Sequence, residues 1–418
     1  MSRYTEHPLV RFPAFRAFYL GNVLVSAAAR SVTIILCWWL ISREGEGARG
    51  LGTLMMMQSI PILAFSVFYG PLIDRFDRRR CMLFGAAMQL VLSIVLFAFF
   101  ATGGTSFPAL CALVFALSIF MPLVDDASSA ALEQLVDLEN LTAASAVQST
   151  VFELSNILAA TLSTTVMAAA GVPPALGVTV ALYVLGVGFL LRMGVGQTPE
   201  HKEGTKDNYL AELKEGFRYI FGTRPLAAFV GIYFTVVFFL QQTFILIPLI
   251  VKVLLHRTVG WVGVLETSFS IGMVTTAFIV STQKGHRHVY RTYSIAIAMT
   301  GLCLLSAAVA TSPYVVALTL LTLGVFFARM WSFSSMLFQT VVPEEIKGRF
   351  FSVISTAAAG ITPISYFAVG TLSDLLSPRV TMTIDGVGLL VLAAVAIRLP
   401  RLVEHLDQPA EPPPETAI

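Results

Sequence analysis

Long uninterrupted apolar segments run through almost the whole chain, and they constrain its fold more than any other feature. A helix needs about 20 residues to cross a hydrocarbon core roughly 30 Å thick, and the chain contains about twelve segments of that length. The runs are continuous, unlike the strands of about ten alternating residues in a membrane β-barrel. With 56% hydrophobic and 12% charged residues, the chain is also too apolar for a soluble domain. The sequence therefore predicts an all-α membrane protein.

Polar sequence between these segments defines the predicted domains. We predict a six-helix bundle at 1–195, a cytoplasmic linker with an amphipathic helix at 196–225, a second six-helix bundle at 226–400 and a disordered cytoplasmic tail at 401–418. An acidic connection at 128–139 recurs at 334–345, which indicates two related halves. Most of the 27 lysines and arginines flank the segments on one side. Because basic loops stay in the cytoplasm, we expect both termini there, in a multi-pass protein of the inner (plasma) membrane.

Ionisable residues inside the segments are candidates for function, because an unpaired charge in a bilayer costs several kcal/mol. We assign to a substrate- and proton-binding cavity Arg30, Asp125, Asp126, Glu153, Gln241, Gln242, Glu266, Arg329 and Trp331. Glu153 and Asp126 are the leading proton sites, because a buried carboxylate near a cation such as Arg30 can switch between charged and neutral forms. Two simpler explanations stay open: a permanent ion pair of Arg30 with a carboxylate, and interfacial exposure of Asp125 and Asp126.

A dense charge cluster at 70–80, GPLIDRFDRRR, follows the second apolar segment. Gly70 permits two helices to approach closely, and Asp74 can accept hydrogen bonds from a helix N-terminus or from arginines. We predict that this cluster acts as a conformational latch composed of Gly70, Asp74, Arg75, Arg78 and Arg79. The arginines would also be explained by membrane topology alone.

The stretch 70–79 resembles the signature G-x-L-x-D-R-x-G-R-R of the major facilitator superfamily, with Asp77 where glycine is usual. The stretches 342–349 and 370–374 are similar to its drug/proton antiporter branch, which includes macrolide and enterobactin exporters. This resemblance implies about twelve helices in two pseudo-symmetric six-helix bundles that alternate access to a central cavity. It also implies a proton gradient as the energy source, with no cofactor and no metal.

We therefore predict a secondary active transporter rather than an enzyme. Its expected activity is proton-coupled efflux of a small amphipathic compound such as a drug or siderophore. Its expected partners are that small molecule and the lipid bilayer, with no nucleic acid, and we expect a monomer. Uptake or flipping of an anionic metabolite or lysolipid, held by Arg30 and Arg329, is the alternative. A lipid-modifying membrane enzyme is less favoured, since no histidine accompanies the buried carboxylates and no nucleophile elbow is present.

Overall fold

The computed structural model of this chain describes residues 8–43, 47–137, 140–193, 209–282 and 288–398. Every regular element within these ranges is helical. Eleven of the helices are long and apolar enough to cross a membrane. The helix Gly47–Arg75, with 29 residues, lies between the first and second of these and completes a set of twelve. The predicted tail at 401–418 and the first part of the linker, 196–208, lie outside the described residues.

The N-terminal bundle contains six helices, preceded by a short helix at Pro8–Arg11. Their bounds are α1 Pro13–Ile41, α2 Gly47–Arg75, α3 Arg78–Ala101, α4 in two pieces at Phe107–Ile119 and Met121–Leu135, α5 in two pieces at Leu141–Gln148 and Val151–Ala170, and α6 Val172–Leu191.

The C-terminal bundle follows a linker helix at Tyr209–Gly222. Its helices are α7 in three pieces at Arg224–Gln241, Thr243–Leu249 and the π-helical Ile250–Leu254, α8 Gly260–Thr282, α9 Val289–Val309, α10 Pro313–Val341, α11 Glu344–Leu375 and α12 Pro378–Ile397.

Proline marks the beginning of many of these helices. Proline occupies the first or second position of α1, both pieces of α4, α6, α7, α10 and α12. The first N–H groups of a helix have no partner within the helix, so a residue without an N–H costs nothing there, and its fixed φ angle suits the helix. The same residue type therefore separates the apolar segments into individual helices.

Two helix breaks in the N-terminal bundle are stabilised by side chains from other helices. At the α4 break, the Tyr69 hydroxyl donates to the Ile119 carbonyl, and the Gln89 amide donates to the Phe120 carbonyl at 3.1 Å. At the α5 break, the hydroxyl oxygens of Tyr19 and Thr150 lie 2.7 Å apart. Broken backbone at membrane depth needs such partners, and at the α4 break Tyr69 and Gln89 supply them, whereas at the α5 break Tyr19 contacts the Thr150 side chain.

The two bundles contact each other mainly through two antiparallel helix pairs, α2 with α11 and α5 with α8. We call the end that holds the α2–α3 and α10–α11 connections and the linker helix the basic end. The end that holds the α1–α2 and α11–α12 connections is the distal end. The predicted architecture of two six-helix bundles is thus confirmed, while the cytoplasmic location of the termini stays a prediction.

The predicted latch lies at the basic end. Gly70, Asp74 and Arg75 lie on the last turns of α2, and their side chains are outside the described part of the structure. The Arg78 guanidinium donates to the Ala130 carbonyl of α4, and Arg79 donates to the Leu191 carbonyl of α6.

Asp77, at the usual glycine position, accepts a hydrogen bond from the Arg80 backbone N–H at 2.9 Å and caps α3. All the contacts described for this cluster therefore stay within the N-terminal bundle. The conformational role of the latch remains a prediction.

Candidate functional site

A central cavity of ≈ 630 Å³ lies between the two bundles. Residues of α1, α2, α4 and α5 form one wall, and residues of α7, α8, α9, α10 and α11 form the other. The C-terminal wall is rich in aromatic rings, namely Tyr233, Phe244, Phe269, Tyr293, Phe327, Trp331 and Tyr366. Cavities of a few hundred Å³ with apolar walls and a few polar groups are typical of sites for small organic molecules.

Arg30 is the cation of this cavity. Its guanidinium carbon lies 4.4 Å from the centre of the Phe152 ring, a cation–π contact. Its charge acts on three carboxylates, those of Asp125, Glu153 and Glu266. Within the described residues no carboxylate oxygen lies within 4.0 Å of it. Arg30 therefore balances the charge of several carboxylates without being committed to one of them.

Glu153 and Glu266 occupy different positions around Arg30. Glu266, on α8, lines the cavity. Glu153, on α5, is buried where α5 meets α8, and it faces the Ser270 hydroxyl across the interface between the bundles and the Asn156 amide of its own helix. One of its carboxylate oxygens is buried without a hydrogen-bond partner in the structure. This carboxylate is thus placed at the contact between the two bundles.

Asp125 and Asp126 are neighbours in sequence but lie in different surroundings. Asp125 is exposed to a second cavity of ≈ 480 Å³ inside the N-terminal bundle, and Arg30 lines both cavities. Asp126 lines neither of the two cavities. Since consecutive helical residues differ by about 100° in direction, the packing of α4 decides which carboxylate faces inward.

Gln241 and Gln242 also diverge, because α7 breaks at this point. Gln241 lines the central cavity and donates to the Thr362 hydroxyl at 2.8 Å. Gln242 is buried on the opposite side. With its amide nitrogen turned toward Asp385 of α12, it donates to the two carboxylate oxygens at 3.0 and 3.1 Å.

Asp385 is a membrane-buried acid that the sequence analysis did not include among its candidates. It is 1% exposed and lies in α12, within an apolar segment. The rule that selected Glu153, an ionisable residue inside a span, would also have selected Asp385. Its carboxylate and the Gln242 amide form a hydrogen-bonded pair that is closed off from the central cavity.

Trp331 and Arg329 lie on α10 and have different environments. Trp331 lines the central cavity with 52% of its surface exposed, and its ring centre lies 6.5 Å from that of Tyr233. Arg329 lines neither cavity, and its buried Nε has no hydrogen-bond partner in the structure. The structure therefore brings Arg30, Glu266, Gln241 and Trp331 to the central cavity, and Asp125 to the adjoining one.

The distal end of the interface is closed by close backbone contact. A Cβ atom at Gly52 of α2 would lie 2.5 Å from the Tyr366 carbonyl oxygen and 2.9 Å from Gly370 Cα on α11. Small residues permit helices in a membrane to approach this closely.

The Asp374 carboxylate of α11 caps the other bundle at the same end. It accepts hydrogen bonds from the backbone N–H groups of Ala48 and Arg49 at the start of α2, at 2.7 and 3.0 Å. A carboxylate at a helix N-terminus is favoured by the unpaired N–H groups and the helix dipole. At the basic end, by contrast, none of the described ion pairs joins the two bundles: Arg11 pairs with Asp137, Lys347 with Glu344, and Arg349 with Glu215 of the linker helix. The structure thus has a closed distal end.

Comparison with known proteins agrees with this architecture. The family described as transmembrane secretion effector matches residues 6–416. The multidrug efflux pump Tap of Mycolicibacterium fortuitum is 23% identical over 407 residues, covering 94% of this chain and 97% of the relative.

Two groups of solved structures share the fold. The nucleoside transporter NupG has a TM-score of 0.71 at 14% identity, covering 92% of this chain and 98% of its own. A POT family transporter in complex with 5-aminolevulinic acid has a TM-score of 0.75 at 12% identity, covering 94% and 97%. At these identities the likeness concerns the fold alone.

Proposed function

Because the chain belongs to the transmembrane secretion effector family of major facilitator transporters, we propose that it exports a small amphipathic organic compound, such as a drug or siderophore, in exchange for protons. Export would proceed by alternating access of the two bundles to the central cavity. The similarity to a multidrug efflux pump supports this direction and this class of substrate.

The observation that carries the proposal is the composition of the central cavity. Aromatic rings on the C-terminal wall suit the apolar part of an organic molecule, and Arg30, Glu266 and Gln241 supply a few polar contacts. Such a wall favours an amphipathic compound over a fully polar solute, because a ligand that covers apolar surface and removes it from water lowers the free energy of the complex.

Glu153 is our candidate for the proton-binding carboxylate. It is buried at the contact of α5 with α8, and separation of the bundles would remove its Ser270 partner and expose it to water. Its affinity for a proton would therefore differ between the two states, which is what coupling requires. Asp126, like Glu153, lines neither cavity, but it is exposed, whereas Glu153 is buried at the contact between the bundles.

The proposal also covers the assembly, location and energy source of the protein. The protein would work as a monomer in the plasma membrane, with the basic end and both termini in the cytoplasm. The closed distal end would then represent the state that accepts substrate from the cytoplasm. A transmembrane proton gradient would supply the energy, so the mechanism calls for no cofactor.

Transport in proteoliposomes tests the proposal. The purified protein is reconstituted with a pH-sensitive dye inside the vesicles, a proton gradient is imposed, and lipophilic cations, siderophores and organic anions are added in turn. We expect a substrate-dependent proton flux that is lost in Glu153→Gln and retained in Asp126→Asn. The reverse pattern would place the proton site at Asp126. Substrate movement without proton flux would contradict proton coupling.

Uptake or flipping of an anionic metabolite or lysolipid is the second candidate function. It is favoured by Arg30, which lines both cavities and has no carboxylate of the described residues in direct contact. Under this alternative, Arg30→Ala abolishes binding of an anionic probe while Glu153→Gln has no effect. The other predicted anion ligand, Arg329, lines neither cavity, which weakens this candidate.

A further inference from the structure

The second cavity of ≈ 480 Å³ is a side pocket inside the N-terminal bundle, bounded by α1, α3, α4 and α5. We propose that this side pocket binds a cationic group that donates hydrogen bonds, such as a primary ammonium, on the substrate whose apolar part occupies the central cavity. The inference rests on the proposed export of an amphipathic compound, and it specifies the polar part of that compound.

The wall of the side pocket contains acceptors that lack donors. Asn22 is 2% exposed and lines the pocket, and its Oδ1 has no hydrogen-bond partner in the structure. Gln148 Oε1 is also buried and without a partner there. The Asp125 carboxylate is exposed to the same space. A buried acceptor without a donor is unfavourable, so a ligand that supplies N–H groups would relieve it.

Four of the six serine hydroxyls that line the pocket already donate their protons within the protein. Ser128 and Ser129 donate to the Asp125 carbonyl at 2.8 and 3.1 Å, and Ser149 and Ser155 donate to the carbonyls of Ala146 and Val23. A hydroxyl has a single proton, so these four oxygens offer only acceptor lone pairs to a ligand.

Gln89 is similarly occupied, because its amide donates to the Phe120 carbonyl and its oxygen accepts from the Tyr183 hydroxyl. Most of the polar atoms with defined bonds in this wall are thus acceptors. Away from the Arg30 guanidinium, the pocket therefore matches a ligand rich in donors.

The charge balance leads to the same ligand. Arg30 faces three carboxylates, Asp125, Glu153 and Glu266, so the ionised site carries an excess of negative charge. A ligand cation near Asp125 would reduce that excess, and a charged hydrogen bond is stronger than a neutral one.

The side pocket and the central cavity are arranged for a single ligand. Arg30, Met121 and Phe152 line both of them, so these three side chains form the boundary between the two spaces. A compound can therefore place an ammonium group against Asp125 and extend past this boundary to the aromatic wall. Rotation of the Phe152 and Arg30 side chains would set the width of the passage.

Three matched fluorescent probes test the proposal on the full-length protein in detergent. Dansylcadaverine carries a primary ammonium, its trimethylammonium derivative keeps the charge without N–H donors, and its N-acetyl derivative removes the charge. We expect the primary ammonium to bind at least about tenfold more tightly than either derivative, as measured by dansyl fluorescence. Equal affinity for all three probes would overturn the proposal.

Substitutions locate this preference. Asp125→Asn, Asn22→Leu and Gln148→Leu should each reduce the advantage of the primary ammonium, with the largest loss, about tenfold, in Asp125→Asn. Asp126→Asn is the matched control, because it removes the same charge one residue away and lines neither cavity. A preference that persists in all three pocket variants would overturn the proposal, as would equal losses for the primary ammonium and the N-acetyl probe.

This binding assay needs neither transport nor a proton gradient. Failure of export with an intact ammonium preference would therefore count against the proposed function alone. Export that continues without any ammonium preference would count against the side pocket alone. Thermal unfolding of each variant shows whether it is folded, and the three independent pocket positions keep the test decisive if one variant is not.

Discussion

The N-terminal bundle presents Arg30, Asp125 and hydrogen-bond acceptors to the interior, whereas the C-terminal bundle presents a mainly apolar wall rich in aromatic rings. Arg30 and Asp125 belong to the first, and Tyr233 and Trp331 to the second. Yet the two bundles share one architecture and arise from a chain whose halves resemble each other. The difference shows that two bundles of one architecture can line a shared interior with different chemistry, polar on one side and mainly apolar on the other.

The largest expected effect comes from removing Arg30, the cation in the cavity wall of the N-terminal bundle. Arg30→Ala leaves Asp125, Glu153 and Glu266 without their balancing charge, and loss of one member of a buried charge cluster costs several kcal/mol. We expect transport in proteoliposomes to fall on the order of a hundredfold. Arg30→Lys, which keeps the charge, should retain more activity. Full activity in Arg30→Ala would show that the charges of this wall are dispensable.

The next largest effect concerns the contact between the two bundles at the distal end. Gly52→Val would force the added side chain into the α11 backbone, so the distal end could not close fully. Cys37 lines the central cavity on α1, so a membrane-impermeant maleimide applied to the distal side reports opening there. In a variant whose other three cysteines are replaced by serine, we expect labelling to rise by tens of fold, an order of magnitude that corresponds to about 2 kcal/mol of overpacking.

Gly188→Val is the matched control for this experiment, since a Cβ at Gly188 meets nothing within 4 Å. Unchanged labelling of Cys37 in Gly52→Val would mean that close contact of α2 with α11 does not seal the distal end.

Substitution in the aromatic C-terminal wall of the cavity should have a weaker effect than removal of Arg30. Trp331 is half exposed to the cavity, and Trp331→Ala removes apolar surface that a ligand would cover. We expect about a fivefold loss of affinity for dansylcadaverine and a similar loss for its N-acetyl derivative, because apolar contact does not distinguish them. A loss confined to the ammonium probe would contradict the division of labour between the two walls.

The smallest effect should come from the carboxylate that is closed off from the cavity. Asp385→Leu leaves the buried Gln242 amide without its acceptor, at a cost of about 1–3 kcal/mol. We expect the melting temperature in detergent to fall by a few degrees, with a smaller change in the isosteric Asp385→Asn. Probe affinity should stay within twofold, or about 0.4 kcal/mol. A specific loss of binding would instead connect this pair to the central cavity.

Much of the fold was predictable because hydrophobicity acts locally. An apolar segment of about 20 residues must become a helix in a membrane, whatever its neighbours are. Candidate site residues were predictable for a related reason, since a charge inside such a segment is costly without a function or a partner. The same rule also applies to Asp385 in the last apolar segment, where it was not used, and it included Arg329, Asp126 and Glu153, which line neither cavity.

The sequence by itself determined that this chain is a helical membrane protein with two related halves and charges within its spans. Only the tertiary structure decided which member of each adjacent pair faces inward, Asp125 rather than Asp126 and Gln241 rather than Gln242. Neighbouring helical residues point about 100° apart, and the rotation of a helix depends on packing against helices far away in sequence. The side pocket depends on the same packing, because its acceptors come from four helices and become adjacent only in the folded bundle.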